Sequence, residues 1–537
     1  MIEKAELLVL LDFTTSPLVI NVLERFDNLG QYGIVADSPA WDIPKNAWTE
    51  GQNIRFTDNA VEKFKGHRDA FGALSIQPYY ATPIQDDANA YWVYASLSSV
   101  YATDQAAAAN IVSAGVSFSA TESFLWNGGS FNGVLILNNG IAAPQQWVPS
   151  LSNKLQPLSN WPAATTCKII RPFGYFLVAL DLTESTVRNS RIIRWSHPAQ
   201  PGAVPASWDE SDPNYDAGRT ELGEGNEPLI DCLPLREFNI IYREHSAFAQ
   251  QYIGGNQVFQ FRRMFTQLGI LSHRCVASYA GYHVCFADGD IVRHDMQSVV
   301  SLVDRRMRQY VFNSISAQYY NRSYIAPNYA KNEMWFCFPQ SGYQWPNMAV
   351  VWNWQQDTTT IREIPNSPHI AYGLVNPGGD TTFDSASGSF DDDIDAFDYR
   401  NYNPTQDSLL ICDLDNSKLL QVDDGETFNG ASMYCYIQRH ALPLGDPKNL
   451  TSMKMIRRII PKIDGTTGES VNIYIGTADQ MDGVVTWSTP KSFVIGTDWF
   501  VNFRERGRII DIKFEYQGAG SFRLIGYDVE FDYVGMR

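Results

Sequence analysis

Short apolar stretches separated by turn residues recur along most of the chain. Each unit has an aliphatic or aromatic strand, a turn rich in Gly, Asn or Asp, and a second strand that often carries an aromatic residue. This pattern is typical of β-hairpins. The predicted hairpins cover 53–65, 91–101, 133–147, 174–196, 238–253, 282–294, 334–354 and 408–422.

Successive hairpins begin roughly 40 to 75 residues apart, the interval at which four-stranded propeller blades repeat. The sequence therefore predicts an all-β protein whose main domain is an irregular β-propeller of six or seven blades. The repeats carry no WD or kelch signature, so the spacing does not decide between those blade numbers. A stack of lectin-like sandwiches is the alternative architecture.

From about residue 442 the pattern changes to alternating strands without the blade plan, at 453–462, 471–476, 493–495, 508–516 and 522–533. Such alternation favours a small β-sandwich. Pro443, Gly445 and Pro447 suit a junction before it. We predict an N-terminal arm at 1–28, a propeller at 29–440 and a C-terminal sandwich at 441–537.

Two other kinds of segment interrupt the strand pattern. A short helix is expected at 304–315, capped by Asp304, because Met307, Val311 and Ile315 recur every fourth residue. Long exposed loops are predicted at 198–227 and 376–404, which are rich in Gly, Pro, Ser and acidic residues. Loops of this length commonly make partner contacts.

Composition supports the all-β prediction and adds an electrostatic division. The 14 Trp, 27 Tyr and 29 Phe favour strands, and charged residues make up only 19% of the chain. The net charge of −18 is uneven: residues 1–447 hold 29 basic and 48 acidic side chains, whereas residues 448–537 hold 12 and 11. The acidic part would repel nucleic acid, which suits a wall past which DNA slides.

Cysteine usage and targeting signals give a second set of expectations. The seven cysteines are scattered without a CxxC pair, which indicates neither a zinc site nor a disulfide framework. Most lie in apolar strands as small hydrophobic residues, typical of synthesis in a reducing compartment. We expect no signal peptide and no transmembrane span, because no apolar run reaches 18 residues.

An acidic run, Asp391, Asp392, Asp393 and Asp395, is the first candidate for chemistry. Adjacent carboxylates on one loop repel each other and face water, unlike a fixed acid/base pair, so we interpret the run as a solvated loop. A helix-flanked calcium loop is rejected because Ala396 and Tyr402 occupy the positions that need Gly and Glu. A cation bound between subunits stays open.

The remaining motifs favour a fold rather than a reaction. The segment 421–428 (QVDDGETF) approximates the Asp-box turn of sialidase propellers, which is itself structural. The eight histidines form no HExxH pattern, and neither a GxSxG elbow nor a P-loop is present. We therefore predict a protein that is not an enzyme and that uses no cofactor or metal.

Basic residues form two clusters that are candidate contacts to a partner or to DNA phosphate. The first comprises Arg305, Arg306 and Arg308, and the second Lys454, Arg457, Arg458 and Lys462. The alternative is that they are solvated, or bridge neighbouring acidic loops. If the second cluster is a docking site, its neutralisation should impair assembly.

Several segments resemble one known family of virion proteins. They are 31–66 (QYGIVADSPAWDIPKNAWTEGQNIRFTDNAVEKFKG), 191–208 (RIIRWSHPAQPGAVPASW), 217–255 (AGRTELGEGNEPLIDCLPLREFNIIYREHSAFAQQYIGG), 269–276 (GILSHRCV), 453–465 (MKMIRRIIPKIDG) and 507–531 (GRIIDIKFEYQGAGSFRLIGYDVEF). This pattern is similar to the tail nozzle proteins of short-tailed bacteriophages, over most of the chain beyond about residue 28.

The resemblance implies a propeller subunit of a sixfold ring in the virion tail, made in the bacterial cytoplasm. Such a homo-hexamer lies below the portal and adaptor protein and beside tail fibres or spikes. It retains the packaged double-stranded DNA and later conducts it into the host. The family offers no catalytic residues to carry over. Two other hypotheses are a carbohydrate-binding or depolymerising tail adhesin, and a soluble host enzyme built on a propeller.

Overall fold

The protein was examined as a computed structural model that describes residues 21–85, 89–223, 225–255, 257–375, 407–445, 452–481 and 483–535. Nearly all regular structure in these residues is β-strand. Five short strands come first: β1 Asn21–Phe26, β2 Glu50–Gln52, β3 Ile54–Thr57, β4 Ala60–Lys63 and β5 His67–Asp69.

Seven four-stranded antiparallel sheets follow, each built mainly from consecutive strands. Blades 1 to 3 contain β6 Tyr80–Gln85, β7 Ala90–Ala95, β8 Val100–Thr103, β9 Ala108–Asn110, β10 Asn127–Phe131, β11 Val134–Asn138, β12 Gln145–Trp147, β13 Gln156–Pro157, β14 Thr165–Phe173, β15 Phe176–Glu184, β16 Val187–Trp195 and β17 Gly218–Glu221.

Blades 4 to 6 contain β18 Asp231–Leu235, β19 Phe238–Tyr242, β20 Ala247–Tyr252, β21 Phe259–Phe265, β22 Val276–Tyr279, β23 Tyr282–Ala287, β24 Asp290–His294, β25 Val299–Ser301, β26 Tyr324–Asn328, β27 Glu333–Phe338, β28 Met348–Asn353 and β29 Thr358–Glu363. Between blades 5 and 6 lie the helix α1 Arg308–Ser314 and a 3₁₀ turn at Tyr320–Arg322, and a second 3₁₀ turn at Tyr329–Lys331 joins β26 to β27.

Blade 7 closes the ring with a strand from the other end of the domain. It combines β30 Ile370–Leu374, β31 Asp407–Asp413 and β32 Lys418–Val422 with β5, which pairs antiparallel with β32. The closure joins the start and the end of the propeller by backbone hydrogen bonds, so the last blade is complete only when both ends are present. Over the described residues, the propeller thus has seven four-stranded blades.

The remaining strands form a sandwich of two six-stranded sheets. Its C-terminal strands are β33 Met433–Arg439, β34 Met453–Gly465, β35 Ser470–Ala478, β36 Thr486–Trp487, β37 Lys491–Val494, β38 Val501–Gly507, β39 Ile509–Gly518 and β40 Phe522–Gly535. One sheet has the order β3-β4-β40-β34-β38 with β1 also on β40; the other has β2-β33-β39-β35-β36 with β37 also on β35.

The sandwich therefore includes residues that we assigned to the arm and the propeller. Strands β1 to β4 pair with β40 and β33, so the propeller is inserted between the two parts of the sandwich. Aromatic packing explains this arrangement: Phe26 stacks on Tyr527 at 4.8 Å, and Trp48 lies against Phe514 and Tyr527. Residues 1–20 of the predicted arm lie outside the described residues.

The predicted helix is shorter than the pattern indicates. It spans Arg308–Ser314, and residues 304–307 form turns, so Asp304 does not cap it. The first amides are instead bound by a distant side chain, because Asp37 accepts hydrogen bonds from Gln309 N at 2.8 Å and from Tyr310 N at 3.4 Å. A carboxylate is favourable at this end of a helix, and here tertiary structure supplies it.

A buried ionic cluster joins the propeller to the sandwich; we call Arg55, Glu333, Arg362 and Asp423 the junction cluster. Arg55 binds Glu333 at 2.7 and 3.2 Å and Asp423 at 2.8 and 3.1 Å. Arg362 lies 3.6 Å from Asp423 and over the rings of Phe64 and Trp335. Two cations and two carboxylates balance, which a buried site requires.

The junction cluster incorporates the Asp-box-like turn. Asp423 follows β32 with a left-handed backbone (φ 62°), and its amide donates to Gly66 O at 2.9 Å. Gly66 N in turn donates to Gly425 O at 2.8 Å. A Cβ on Gly66 would lie 1.9 Å from Thr427 O, so only glycine fits there. The turn at 421–428 is therefore structural, at the closure of the ring.

Most of the histidines are held neutral inside the protein. Tyr242 hydroxyl lies 2.7 Å from His283 Nδ1 and 2.6 Å from His294 Nε2, while His283 Nε2 donates to Pro234 O at 3.0 Å. Burial lowers the pKa of His283 to about 3 and that of His294 to about 4. All seven cysteines are buried and unpaired, as the sequence predicts.

Candidate functional site

The first basic cluster surrounds the start of α1 and is largely engaged within the chain. Arg306 binds Asp357 through its carbonyl and carboxylate oxygens, both at 2.8 Å. Arg308 Nε donates to Gly289 O at 2.7 Å. Arg305 has an exposed side chain, and its carbonyl accepts from Ser38. The cluster thus anchors α1 to neighbouring segments, and Arg305 is its most accessible member.

The second basic cluster divides between a buried residue and exposed ones. Lys454 is only 1% exposed and donates to the carbonyls of Ser452 and Arg508. Burial lowers the pKa of Lys454 to about 8. Successive side chains of β34 face opposite sides of the sheet, and that of Lys454 points inward. Lys454 therefore does not belong to the predicted docking surface. Lys462 lies 3.3 Å from Asp27 and 3.2 Å from Asp528.

The other two members face solvent on the outer side of the sandwich. Arg457 binds Asp532 at 2.5 Å, and Arg458 lies 3.5 Å from Glu530. The neighbouring strand β38 adds Arg504 and Arg506, since β38 pairs with β34 and its residues 502, 504 and 506 are exposed. Arg457, Arg458, Arg504 and Arg506 are called the arginine face below.

A cavity of about 500 Å³ opens between the two strands of the arginine face. It is lined by Arg457, Arg458, Asn502, Phe503, Arg504, Glu530 and Asp532. The two carboxylates hold Arg457 and Arg458 in place, whereas Arg504 adds a further positive charge. The cavity can therefore accept an acidic group from a partner and hold it with oriented guanidinium groups.

Aromatic side chains at the start of β38 extend this surface. Trp499 is 84% exposed, and Phe500 is partly exposed with its ring 4.1 Å from the Arg458 guanidinium. Trp and Arg are the residue types that most often contribute binding energy at protein interfaces. Arg504, Arg506 and Trp499 are not among the residues predicted from the sequence. The signal for them was the segment 499–506 (WFVNFRER), which begins with an aromatic pair and continues with alternating apolar and polar residues.

Other predicted features give no further site. The acidic run Asp391, Asp392, Asp393 and Asp395 lies outside the described residues, as does the whole of the loop predicted at 376–404. Among the described residues, no group of three or more His, Cys, Asp or Glu side chains is placed to hold a metal ion. Within the same residues, no helix is long and apolar enough to cross a membrane.

Similarity to known proteins is found among solved structures, at low sequence identity and low TM-score. No protein-family model matches the chain, and no curated protein matches its sequence. Solved structures similar to it include the WD40 β-propeller domain of Doa1, at 8% identity over 67% of this chain and 97% of that one, with a TM-score of 0.37.

Two further similar structures have lower scores. PorZ, a surface component of the type-IX secretion system of Porphyromonas gingivalis, is 9% identical over 80% of this chain and 46% of its own, with a TM-score of 0.34. Hsv2 of Kluyvelomyces marxianus is 10% identical over 55% of this chain and 70% of its own, with a TM-score of 0.25. The pairing of its own strands makes the chain an all-β protein in which a β-propeller is inserted between the two parts of a β-sandwich.

Proposed function

We propose that this chain is a structural subunit of the tail nozzle of a short-tailed bacteriophage. Copies assemble into a sixfold ring in the virion, below the tail adaptor protein and beside the fibres or spikes. The ring retains packaged DNA and conducts it during ejection. The chain carries out no reaction of its own. The segments quoted above, which resemble nozzle proteins, and the propeller-plus-sandwich architecture support this assignment.

The observation that carries the proposal is the arginine face with its adjoining aromatic residues. Trp499 is almost fully exposed, and it lies at the start of the strand that supplies Arg504 and Arg506. A large aromatic residue in water gains contact area only when a partner covers it. This surface belongs to a sandwich with nearly balanced charge, whereas residues 1–447 carry a large negative excess.

Charge distribution suggests how copies approach each other and how DNA passes. The arginine face of one subunit attracts an acidic surface of its neighbour, which gives orientation as well as contact. The acidic propeller has the sign that repels DNA phosphate, so a channel with such walls binds DNA weakly and lets it slide. Assembly and passage thus use opposite charges on two parts of one chain.

Replacing Trp499 with alanine is expected to weaken ring assembly by about tenfold or more, the effect of losing an interface anchor. The monomer should stay folded, because a change at an exposed position alters stability by only about 0.5 kcal/mol. Mass photometry of the full chain at several concentrations measures the distribution between monomer and ring. The matched control is Tyr175→Ala, an exposed aromatic residue on the propeller.

Imaging decides the rest of the assignment. Purified virions should contain this chain in a ring coaxial with the tail channel, and virions built with the Trp499→Ala chain should lack it or lose DNA. A wild-type chain that is absent from virions, or that occurs only as a monomeric appendage, would contradict the nozzle role. Equal assembly by Trp499→Ala and wild type would contradict the interface but not the ring itself.

A further inference from the structure

A cavity of about 350 Å³ lies on the propeller axis, away from the arginine face. The innermost strands of all seven blades contribute to it, from β6, β10, β14, β18, β22, β26 and β30. Its aliphatic wall includes Leu233, Val276, Ile325 and Ile370. A volume near the lower end of the range for ligand pockets suits a small molecule.

Charged groups at this cavity do not balance. Arg171 binds both carboxylate oxygens of Asp231, at 2.9 and 2.8 Å, and donates through Nη1 to Gly128 O at 2.9 Å. That pair is bidentate and complete. Arg274 also lines the cavity, and its backbone amide donates to Asp231 at 3.0 Å. The carboxylate, which also accepts from Cys232 N at 2.8 Å, is therefore shared by one guanidinium and two backbone amides.

The side chain of Arg274 is only partly satisfied. Its Nη1 donates to Pro368 O at 3.3 Å, and the guanidinium lies 5.5 Å from the centre of the Tyr324 ring. Its Nε is buried without an acceptor. Nη2 is neither fully buried nor bonded to a protein atom, and Arg274 lines the cavity, so Nη2 is the donor that an acceptor placed there can reach. Two guanidinium groups and one carboxylate leave one positive charge at the axis.

Neutral histidines around Arg274 do not offset that charge. His369 stacks on Tyr80 at 4.6 Å, and its Nδ1 accepts from Ala81 N at 3.2 Å. Burial lowers the pKa of His369 well below its ordinary value, and the charge of Arg274 lowers it further. The pKa of His273 is lowered to about 3 by burial and by the same arginine. Both rings are therefore uncharged near neutral pH.

We propose that the axis cavity is a binding site for a small oxyanion, held by the Arg274 guanidinium with its organic part against the aliphatic wall. The anion would accept from the unpaired face of the guanidinium and balance the second cation of the Arg171, Asp231 and Arg274 group. The proposal does not rest on the proposed function, because none of these residues belongs to the arginine face. A carboxylate and a phosphate share this chemistry.

The test uses the full chain and two probes, benzoate and inorganic phosphate, titrated calorimetrically at constant ionic strength. Wild type should bind at least one of them saturably, with a dissociation constant of about 1 mM. Arg274→Gln should bind at least about tenfold more weakly. The control Arg262→Gln, an exposed position on β21, should bind like wild type. The two probes distinguish a carboxylate site from a phosphate site.

A second variant keeps the positive charge of Arg274 and changes only the volume of the cavity. Leu233→Phe narrows the cavity from its aliphatic wall, so benzoate binding should fall while Arg274 is retained. This variant decides the matter if Arg274→Gln does not fold. The proposal is overturned if wild type binds neither anion, if Arg274→Gln binds as tightly as wild type, or if Leu233→Phe leaves unchanged the binding of the probe that wild type binds.

Discussion

Replacing Glu333 with glutamine is expected to lower the free energy of unfolding by about 3 to 5 kcal/mol. Glu333 is 1% exposed and accepts hydrogen bonds from Arg55 and from Trp335 Nε1 at 3.0 Å. Glutamine keeps the shape but removes one of two carboxylates that face two buried guanidinium groups. The junction cluster would then hold an uncompensated cation.

Of the two cations in the junction cluster, Arg362 has the weaker compensation of its charge, because it lies farther from Asp423 than Arg55 does. Burial, together with the positive charge of Arg55, lowers the pKa of Arg362 to about 10, even though Asp423 and Glu333 raise it. The pKa of Asp423 is held below its ordinary value by Arg55 and Arg362, against the effect of burial. Removing Glu333 therefore leaves Asp423 as the only carboxylate of the cluster.

Urea denaturation of Glu333→Gln and wild type measures this effect, with Glu221→Gln as the matched control. Glu221 forms an ion pair with Arg191 on the surface, where such pairs contribute about 1 kcal/mol or less. A second comparison, Glu333→Gln combined with Arg362→Met, should recover part of the loss because charge balance returns. A Glu333→Gln protein as stable as the control would show that the junction cluster does not hold the two domains together.

The hairpin pattern alone predicted most of the propeller. Seven of the eight predicted hairpins are the two middle strands of the seven blades, for example β7 with β8 and β31 with β32. The second strand of each blade is buried along most of its length, so it is an apolar run that stands out in a sequence, as in β7, β11 and β27. The innermost and outermost strands are shorter or mixed in character, and the blade number could not be counted from them.

The local pattern of apolar and turn residues could not predict which strands pair when they are far apart in the sequence. The eighth hairpin, β3 with β4, has the same apolar and turn residues as a blade, but it belongs to the sandwich because β4 pairs with β40. Likewise β5, only three residues long, completes blade 7 through β32. Nothing in a three-residue strand indicates a partner some 350 residues away, so tertiary contacts decide both placements.

The candidate site was predicted only in part, again because strand pairing brings together residues that are distant in the sequence. Charge clustering along β34 indicated Arg457 and Arg458, but it also included Lys454, which the alternation of the strand turns inward. Arg504 joins them only because β38 pairs with β34. The axis cavity unites residues from seven separate blades, so no spacing within the sequence could have indicated Arg274.

Acid is expected to unfold the protein over a narrow range, between about pH 6.5 and pH 4.5. Five of the eight histidines have a pKa lowered mainly by burial: His67, His273 and His283 to about 3, His294 to about 4, and His369 well below its ordinary value. In the unfolded chain each would take up a proton near pH 6.5 or so.

The direction in which the free energy of unfolding changes with pH follows from proton binding. Below the unfolded pKa the unfolded state binds more protons than the folded state, so stability falls as pH decreases until the folded pKa is reached. Each such histidine contributes a loss of up to about 1.4 kcal/mol per pH unit. The five histidines together would cancel a typical free energy of unfolding of about 5 to 15 kcal/mol within about one to three pH units. His440, whose pKa is raised by Asp511, acts in the opposite direction but is a single group.

The hydrogen bonds around Tyr242 show why these protons are not accommodated in the folded state. His283 donates through Nε2 to Pro234, so its Nδ1 must accept from the Tyr242 hydroxyl. His294 then donates through Nε2 to the same hydroxyl oxygen and accepts from Met296 N at 3.3 Å. Protonating either ring turns an acceptor into a donor that faces another donor, at a site where all three side chains are buried.

Urea titrations at a series of pH values, fitted for the free energy of unfolding, measure the slope directly. Wild type should lose stability steeply below about pH 6.5, and His283→Gln should show a shallower slope by about 1.4 kcal/mol per unit. His245→Gln, at an exposed position, should keep the wild-type slope. If stability were flat from about pH 7 to pH 5, these rings would have to be protonated or solvated in the folded protein, and the neutral Tyr242 network would be wrong.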